Sequence, residues 1–287
     1  MNFIICIQFM EPLTSNGPPA KDAKLYVYFR PCAGLNDILN EFSLVISYCQ
    51  KYRRILLVDR AISYGVDLLS FFSIKDTGVE IMNNIDSIQK IVGSKVMNRP
   101  VRYCLSRRHR VFTDTNKASH FELNREYPND RVLCYIRCGG GNRSHAFFRN
   151  HVRLLVHVHQ EFTKKRFNIK SREWYSIQVR NTDRKCNYKG IKTACIPKGA
   201  SVYVATDDPQ VIAYFQKKLT NNTIYNFTTF GERRINLHYN SSVSGKTRIM
   251  DTLHDLMFLA KSKRILSVSK GGFIGLARSL HKHGFPG

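Results

Sequence analysis

The chain has 287 residues, 43% apolar and 23% charged. These proportions exclude a disordered chain, a collagen-like chain and a small disulfide scaffold, and suit two domains or one large one. Forty-five Lys and Arg against 21 Asp and Glu leave a formal charge of +24, which points to polyanions, anionic membrane surfaces or phosphate-bearing substrates.

An apolar stretch at residues 3–10 is about half of the roughly 20 residues that cross a membrane. It lacks the basic leader and small-residue cleavage site of a secretory signal, so it reads as a buried first strand of a cytoplasmic chain with no transmembrane segment. The eight cysteines are sparse and irregular, which fits reduced thiols. Asn-x-Ser/Thr sequons at Asn142, Asn221, Asn226 and Asn240 then read as chance occurrences.

Residues 11–22 form a Pro-, Gly- and Ser-rich loop. A β-rich run at 25–29 leads through Pro31-Cys32-Ala33-Gly34 into residues 36–52, where Leu39, Phe42, Val45, Ile46 and Cys49 recur at helical spacing. Another short apolar strand follows at 54–59. Strand, glycine turn, helix, strand is a βαβ unit and implies parallel pairing. A helix is expected over 81–91, a strand over 132–136 running into Gly139-Gly140-Gly141, a helix over 151–162, and a basic connector over 164–172. The α/β rhythm then resumes, with strands at 175–179, 201–205, 224–227 and 264–267 and helices at 209–219, 251–260 and 273–280. The expected architecture is two α/β lobes, residues 1–168 and 169–287, with a cleft between them.

Several patterns carry a weaker chemical reading. Gly245-Lys246-Thr247 ends like a phosphate loop, but Asn240 stands where that motif needs its first glycine; a P-loop nucleotide hydrolase is the minor alternative. Cys134, Cys138, His145 and His151 make a zinc-like inventory without the short Cys knuckles of structural zinc, so no metal is expected. Basic clusters at 51–54, 107–110, 164–166 and 233–234 are scattered and accompany no nucleic-acid-binding motif. A basic nucleic-acid-binding protein therefore remains the rival reading, with no specific nucleic acid expected as partner.

Three segments form a sharper set. Gln178-Val179-Arg180-Asn181-Thr182-Asp183 places a guanidinium just past a strand, where it can grip a phosphate through paired hydrogen bonds. Val204-Ala205-Thr206-Asp207-Asp208-Pro209 is a strand end passing into a capped helix. A helix carrying Asp255 leads to the strand RILS and the small-residue turn Ser269-Lys270-Gly271-Gly272, which exposes amides at a helix start and favours an anion there.

In this order, over residues 174–281, the segments resemble the donor-binding half of fucosyltransferases with a GT-B-like fold. These are the α1,6-fucosyltransferases, the nodulation fucosyltransferases and, more distantly, the protein O-fucosyltransferases. YFRPCAGLNDIL near the start resembles the glycine-bearing first loop of such enzymes. The resemblance implies two Rossmann-like lobes and inverting, metal-independent transfer from a nucleotide sugar to an oligosaccharide hydroxyl, with no cofactor beyond that substrate. It assigns the donor diphosphate to Arg180, loop support to Asp183, the nucleotide base to Asp255, and base or phosphate to Ser269, Lys270 and Gly271. Asp207 would stabilise the strand end, while Gly34, Asn36 and Asp37 would face the cleft. The family His is Gln178 here and its second Arg is Asn181. With one cation fewer, the donor is GDP-fucose first and a UDP-linked sugar such as UDP-xylose next. Asp37 and Asp183 are the candidate general bases.

Overall fold

Tyr26–Phe29 (β1) are buried along their whole length, as a parallel strand covered on both faces must be. In the computed structural model, residues 24–93, 97, 111–112, 118–119, 123–135, 140–182, 185–231 and 237–286 are described. After β1 the chain forms α1 (Leu35–Tyr52), β2 (Ile55–Val58), β3 (Phe72–Ile74), β4 (Ile81–Met82) and α2 (Ile85–Val92). A short antiparallel pair, β5 (Val111–Phe112) and β6 (Ala118–Ser119), precedes β7 (Val132–Tyr135). Next come α3 (Arg143–His151), β8 (Val152–Leu154), α4 (Val156–Phe167), β9 (Trp174–Val179), β10 (Ser201–Thr206) and α5 (Pro209–Lys218). The rest is β11 (Thr223–Tyr225), α6 (Gly245–Ala260), β12 (Arg264–Ser267) and α7 (Gly272–His283).

Two four-stranded sheets result, ordered β4-β2-β1-β7 and β11-β10-β9-β12, and every pairing in both is parallel. The expected α/β class and the βαβ unit hold, with Tyr26 opposite Ile55 and Phe29 opposite Val58. One apolar core runs between the sheets, joining Val27 and Phe29 of β1 to Trp174 and Tyr203 through Phe42, Leu253, Phe258 and Leu276 of the helices. α7 packs on α1 and α3, so the helix nearest the C-terminus completes the layer over the first sheet.

Four local expectations are corrected. The helix expected at 81–91 starts only at Ile85, where Asn84 accepts a hydrogen bond from the Ser87 amide; Ile81–Met82 pair instead with β2 as an edge strand. The helix expected at 151–162 is interrupted by β8, which pairs antiparallel with β3, Phe72 opposite Leu154. The first part of the basic connector, to Phe167, is helical. Cys32 is disulfide-bonded, whereas Cys49, Cys134, Cys186 and Cys195 are not. The apolar stretch at 3–10 and the basic cluster at 107–110 lie outside the described residues, as do Arg233 and Arg234. Among the described residues no helix is long and apolar enough to cross a membrane.

Gly245-Lys246-Thr247 opens α6, capped by the Ser244 hydroxyl, which accepts from the Thr247 amide at 3.1 Å. The glycine is needed because a Cβ there would overlap the Tyr64 carbonyl oxygen. One turn on, buried Arg248 donates to the carbonyls of Ser63 at 2.7 Å, Tyr64 at 3.1 Å and Val243 at 3.1 Å, and to that of His238. This guanidinium ties α6 to the loop after β2. Arg248→Met keeps the apolar stem but strands those carbonyls, at about 1.5–3 kcal/mol for a hydrogen bond to a charged group. We expect a melting temperature about 5–10 °C lower by calorimetry, with the native fold retained.

Candidate active site

In each sheet the strand order runs outward in opposite directions from the first strand, giving switch points between β1 and β7 and between β9 and β12. Open α/β sheets bind ligands in the crevice outside the carboxyl ends of strands at such points. The residues past those ends converge on a pocket of about 130 Å3 bordered by both sheets. Gly34, Asn36 and Asp37 line it from the first turn of α1; Gln178 and Arg180 line it from the end of β9, Asp207 from the end of β10, Asp255 from α6 and Gly272 from α7.

Asn36 fixes how the helix starts meet. Its Oδ1 accepts from the Ser144 hydroxyl of α3 at 2.7 Å, and its Nδ2 lies 3.3 Å from an Asp37 oxygen. A Cβ on Gly272 would overlap the Asn36 amide, so a glycine at the start of α7 lets the two helices touch. The amino ends of α1 and α7 therefore border one pocket together with Arg180. Unpaired amides and the helix dipole make each such end attractive to an anion, and Arg180 adds a full charge to the same lining.

The loop after β9 is held on both sides. The Arg180 amide donates to the Ser269 hydroxyl at 3.1 Å, the Ser269 amide to Ser267 Oγ at 3.0 Å, and Ser267 Oγ to Gln178 Oε1 at 2.8 Å. The Asn181 amide donates to Asp207 Oδ1 at 2.7 Å, Thr182 Oγ1 to Asp207 Oδ2 at 2.5 Å, and Asn181 Nδ2 to Asp208 Oδ2 at 2.8 Å. Asp208 also caps α5 by accepting from the Gln210 amide at 3.0 Å. The Ser269 hydroxyl is thus engaged with the protein, and Gly271 is the cap residue of α7, with Lys270 exposed beside it. Asp183 lies outside the described residues.

Asp255 sits on the pocket wall at the end of a buried polar chain. Its carboxylate accepts from the Tyr203 hydroxyl and, at 3.2 Å, from Thr228 Oγ1. One turn earlier Asp251 is ion-paired with Lys165 at 2.9 Å and accepts from the Thr229 amide at 2.8 Å. Burial pushes the Asp255 carboxyl up to about 7, opposed by the Tyr203 hydrogen bond and reinforced by the charge of Asp251. The Tyr203 hydroxyl is driven well above its usual range by burial and by that carboxylate. Sequence reasoning passed over Tyr203, which reads only as an inward strand position. It also missed Tyr64, His238 and Thr252 of the lining; Thr252 is three residues before Asp255 on α6, a helical spacing that would have placed both on one face. Among the described residues no three His, Cys, Asp or Glu side chains converge as metal ligands.

No family model matches the chain, and no curated protein matches it by sequence. Solved structures match it by shape. One is NodZ alpha-1,6-fucosyltransferase soaked with GDP-fucose, at a TM-score of 0.55 and 16% identity, covering 90% of this chain and 92% of that one. The chain adopts the fucosyltransferase fold. POFUT1 in complex with GDP shares it at a TM-score of 0.56 and 12% identity, over 91% of this chain and 96% of that one. So does a mutant of Arabidopsis thaliana FUT1 in complex with GDP, at 0.51 and 12%, over 95% and 70%.

Within this fold the buried Asp255 has a signature independent of any ligand. Folded, it holds its proton up to about pH 7; unfolded, it releases it near an ordinary ~3.9. The folded state binds the extra proton in that window, so its stability falls as pH rises through it. Melting curves should show the wild type losing ground to Asp255→Asn as pH increases from about 4 to about 7, with no further divergence above. Parallel curves would place Asp255 in a polar, solvated setting.

Proposed function

We propose that the chain is an inverting glycosyltransferase of the two-lobed GT-B type, moving a sugar from a nucleoside diphosphate donor to a glycan hydroxyl, with GDP-fucose as the first candidate donor. The observation that carries this reading is the one pocket that Arg180 lines together with the amino ends of α1 and α7. A diphosphate is the kind of anion that such a cluster of fixed positive ends accommodates. The similarity in shape to proteins solved with GDP and GDP-fucose supports the same donor class. Residues 169–287 would then form the donor side and residues 1–168 the acceptor side.

In this reading an acceptor oxygen bonds to the anomeric carbon as the bond from that carbon to the β-phosphate oxygen breaks. The acceptor proton passes to a carboxylate, and the electron pair leaves with the diphosphate. Charge grows on the departing phosphate, so Arg180 and the helix-end amides stabilise the transition state more than the ground state. The loop that carries Arg180 is tied to Ser269 and Asp207 before any ligand arrives, which spares reorganisation during the reaction. Asp37, in the first turn of α1 and on the pocket wall, is our candidate base, with Asp183 as the second. Asp255 would accept N–H groups of the base, where guanine offers two adjacent donors and uracil one. Neutralisation by Arg180 requires no metal and no cofactor besides the donor.

Arg180→Ala removes the guanidinium and leaves the backbone amide that bonds Ser269. With GDP-fucose as donor, we expect turnover to drop by about 10²–10³ while the melting temperature stays within about 1 °C. Calorimetric titration with GDP and UDP, with and without chelator, should find GDP the tighter ligand and chelator without effect. Undiminished turnover by Arg180→Ala would remove the diphosphate from this wall of the pocket.

A further inference from the structure

Phe167 is 82% exposed and Val156 71% exposed, unusual for large apolar residues at the two ends of one helix. They stand eleven residues apart on α4, which is three turns and about 16 Å, and the periodicity returns both to the same face. Gln160, Thr163 and Lys164 are the other exposed residues on that stripe, while Val158 and Phe162 of the opposite face are buried in the core. A shallow open groove follows the stripe past Val156, His159, Gln160, Thr163 and Lys164.

The surroundings of this helix are strongly cationic. Residues 143–172 hold eight Lys and Arg against one Glu. Two of the cations are turned inward: Lys165 pairs with Asp251, and Arg166 stacks on the Trp174 ring at 4.6 Å. Lys164, Lys170, Arg172 and Lys261 remain exposed. Lys261 lies over the Phe162 ring at 5.4 Å, and its charge, with burial, holds His159 below the usual histidine range. Glu161 is paired with Lys164 at 2.7 Å. The face combines two protruding apolar side chains with Lys164 between them and the exposed Lys170 and Arg172 just beyond the helix end.

We propose that the outer face of α4 docks the protein on an anionic phospholipid surface, with the helix in the membrane plane, Phe167 and Val156 entering the headgroup region, and Lys164, Lys170 and Arg172 meeting lipid phosphates and carboxylates. The helix is not strongly amphipathic, since Gln160, Thr163 and Lys164 lie between its two apolar ends, so the contact would combine point insertion of two side chains with attraction to anionic lipid. A second copy of the chain fits poorly, because it brings another +24 to a face that is already cationic. A nucleic-acid backbone would use the cations and leave Val156 without a partner. The contact leaves the active-site pocket open: α4 ends before the start of β9, whereas the pocket lies past the end of that strand. Docking and donor binding are therefore separate properties.

The test is co-sedimentation of the full chain with vesicles of phosphatidylcholine alone and of phosphatidylcholine with one third phosphatidylserine, at low and high salt. We expect binding to the serine-containing vesicles only, weakened by salt. The double variant Val156→Ser with Phe167→Ser should reduce it about tenfold or more, with an unchanged melting temperature, because both side chains are in solvent. A second measurement reads insertion directly. The single tryptophan, Trp174, is 5% exposed, so Phe167→Trp adds a reporter whose emission should shift to the blue on vesicles and be quenched by brominated acyl chains. Vesicle binding that ignores the double variant, an unquenched reporter, or no vesicle binding overturns the proposal. RNA binding or self-association that depends on Phe167 in place of vesicle binding overturns it as well.

Discussion

Two places where a side chain would not fit determine how the molecule is put together. At Gly245 the start of α6 presses on the Tyr64 carbonyl, and at Gly272 the start of α7 presses on the Asn36 amide. Both contacts bring helix amino ends from the second half of the chain against the region just past β1 and β2. At Gly245 it is backbone that approaches backbone, and at Gly272 the Asn36 side chain that approaches backbone; both need a residue without a Cβ. Arg248 reinforces the first contact by satisfying several carbonyls that the close approach would otherwise leave dry. The pocket is the space left over once these contacts are made.

The electrostatics follow from the same assembly. A chain with such an excess of cations gains little specificity from net charge alone. What distinguishes the pocket is that its positive ends are fixed: amides at two helix starts, and a guanidinium on a loop tied to Ser269 and Asp207. Acidic groups are present too, but each has a task. Asp207 and Asp208 hold the loop, Asp251 is neutralised by Lys165, and Asp255 is kept near its titration point by burial. The pocket thus contains carboxylates without losing its attraction for an anion.

Much of this was legible in the sequence. Strands such as YVYF, ILLV and SVYVAT declare themselves because a parallel strand buried on both faces is a nearly continuous apolar run. The Asp208-Pro209 cap fixes the start of α5 for local reasons that no tertiary contact overrides. The candidate residues Gly34, Asn36, Asp37, Arg180 and Asp207 are brought to one pocket because they stand at element ends, where topology gathers them, and Asp255 reaches it from the middle of α6. What was illegible depended on distant partners. β8 hides inside a helical pattern because its partner β3 is far away in sequence. Gly245 imitates a phosphate loop, while its real reason, the Tyr64 carbonyl, belongs to another part of the chain. The disulfide at Cys32 has no local signature either.

The packing of α7 on α1 and α3 has a bearing on synthesis. The first sheet and its helices are made by about residue 167, yet α1 also turns one side to α7, whose Ile274 and Leu276 share its core. A chain emerging from the ribosome must reach at least His283 before that side closes. Until then apolar residues of α1 face water or a chaperone, and the long-range contacts make closure slow. The N-terminal half cannot complete itself as an independent vectorial folding unit, so a cut just before Gly271 would damage the part of the molecule made first.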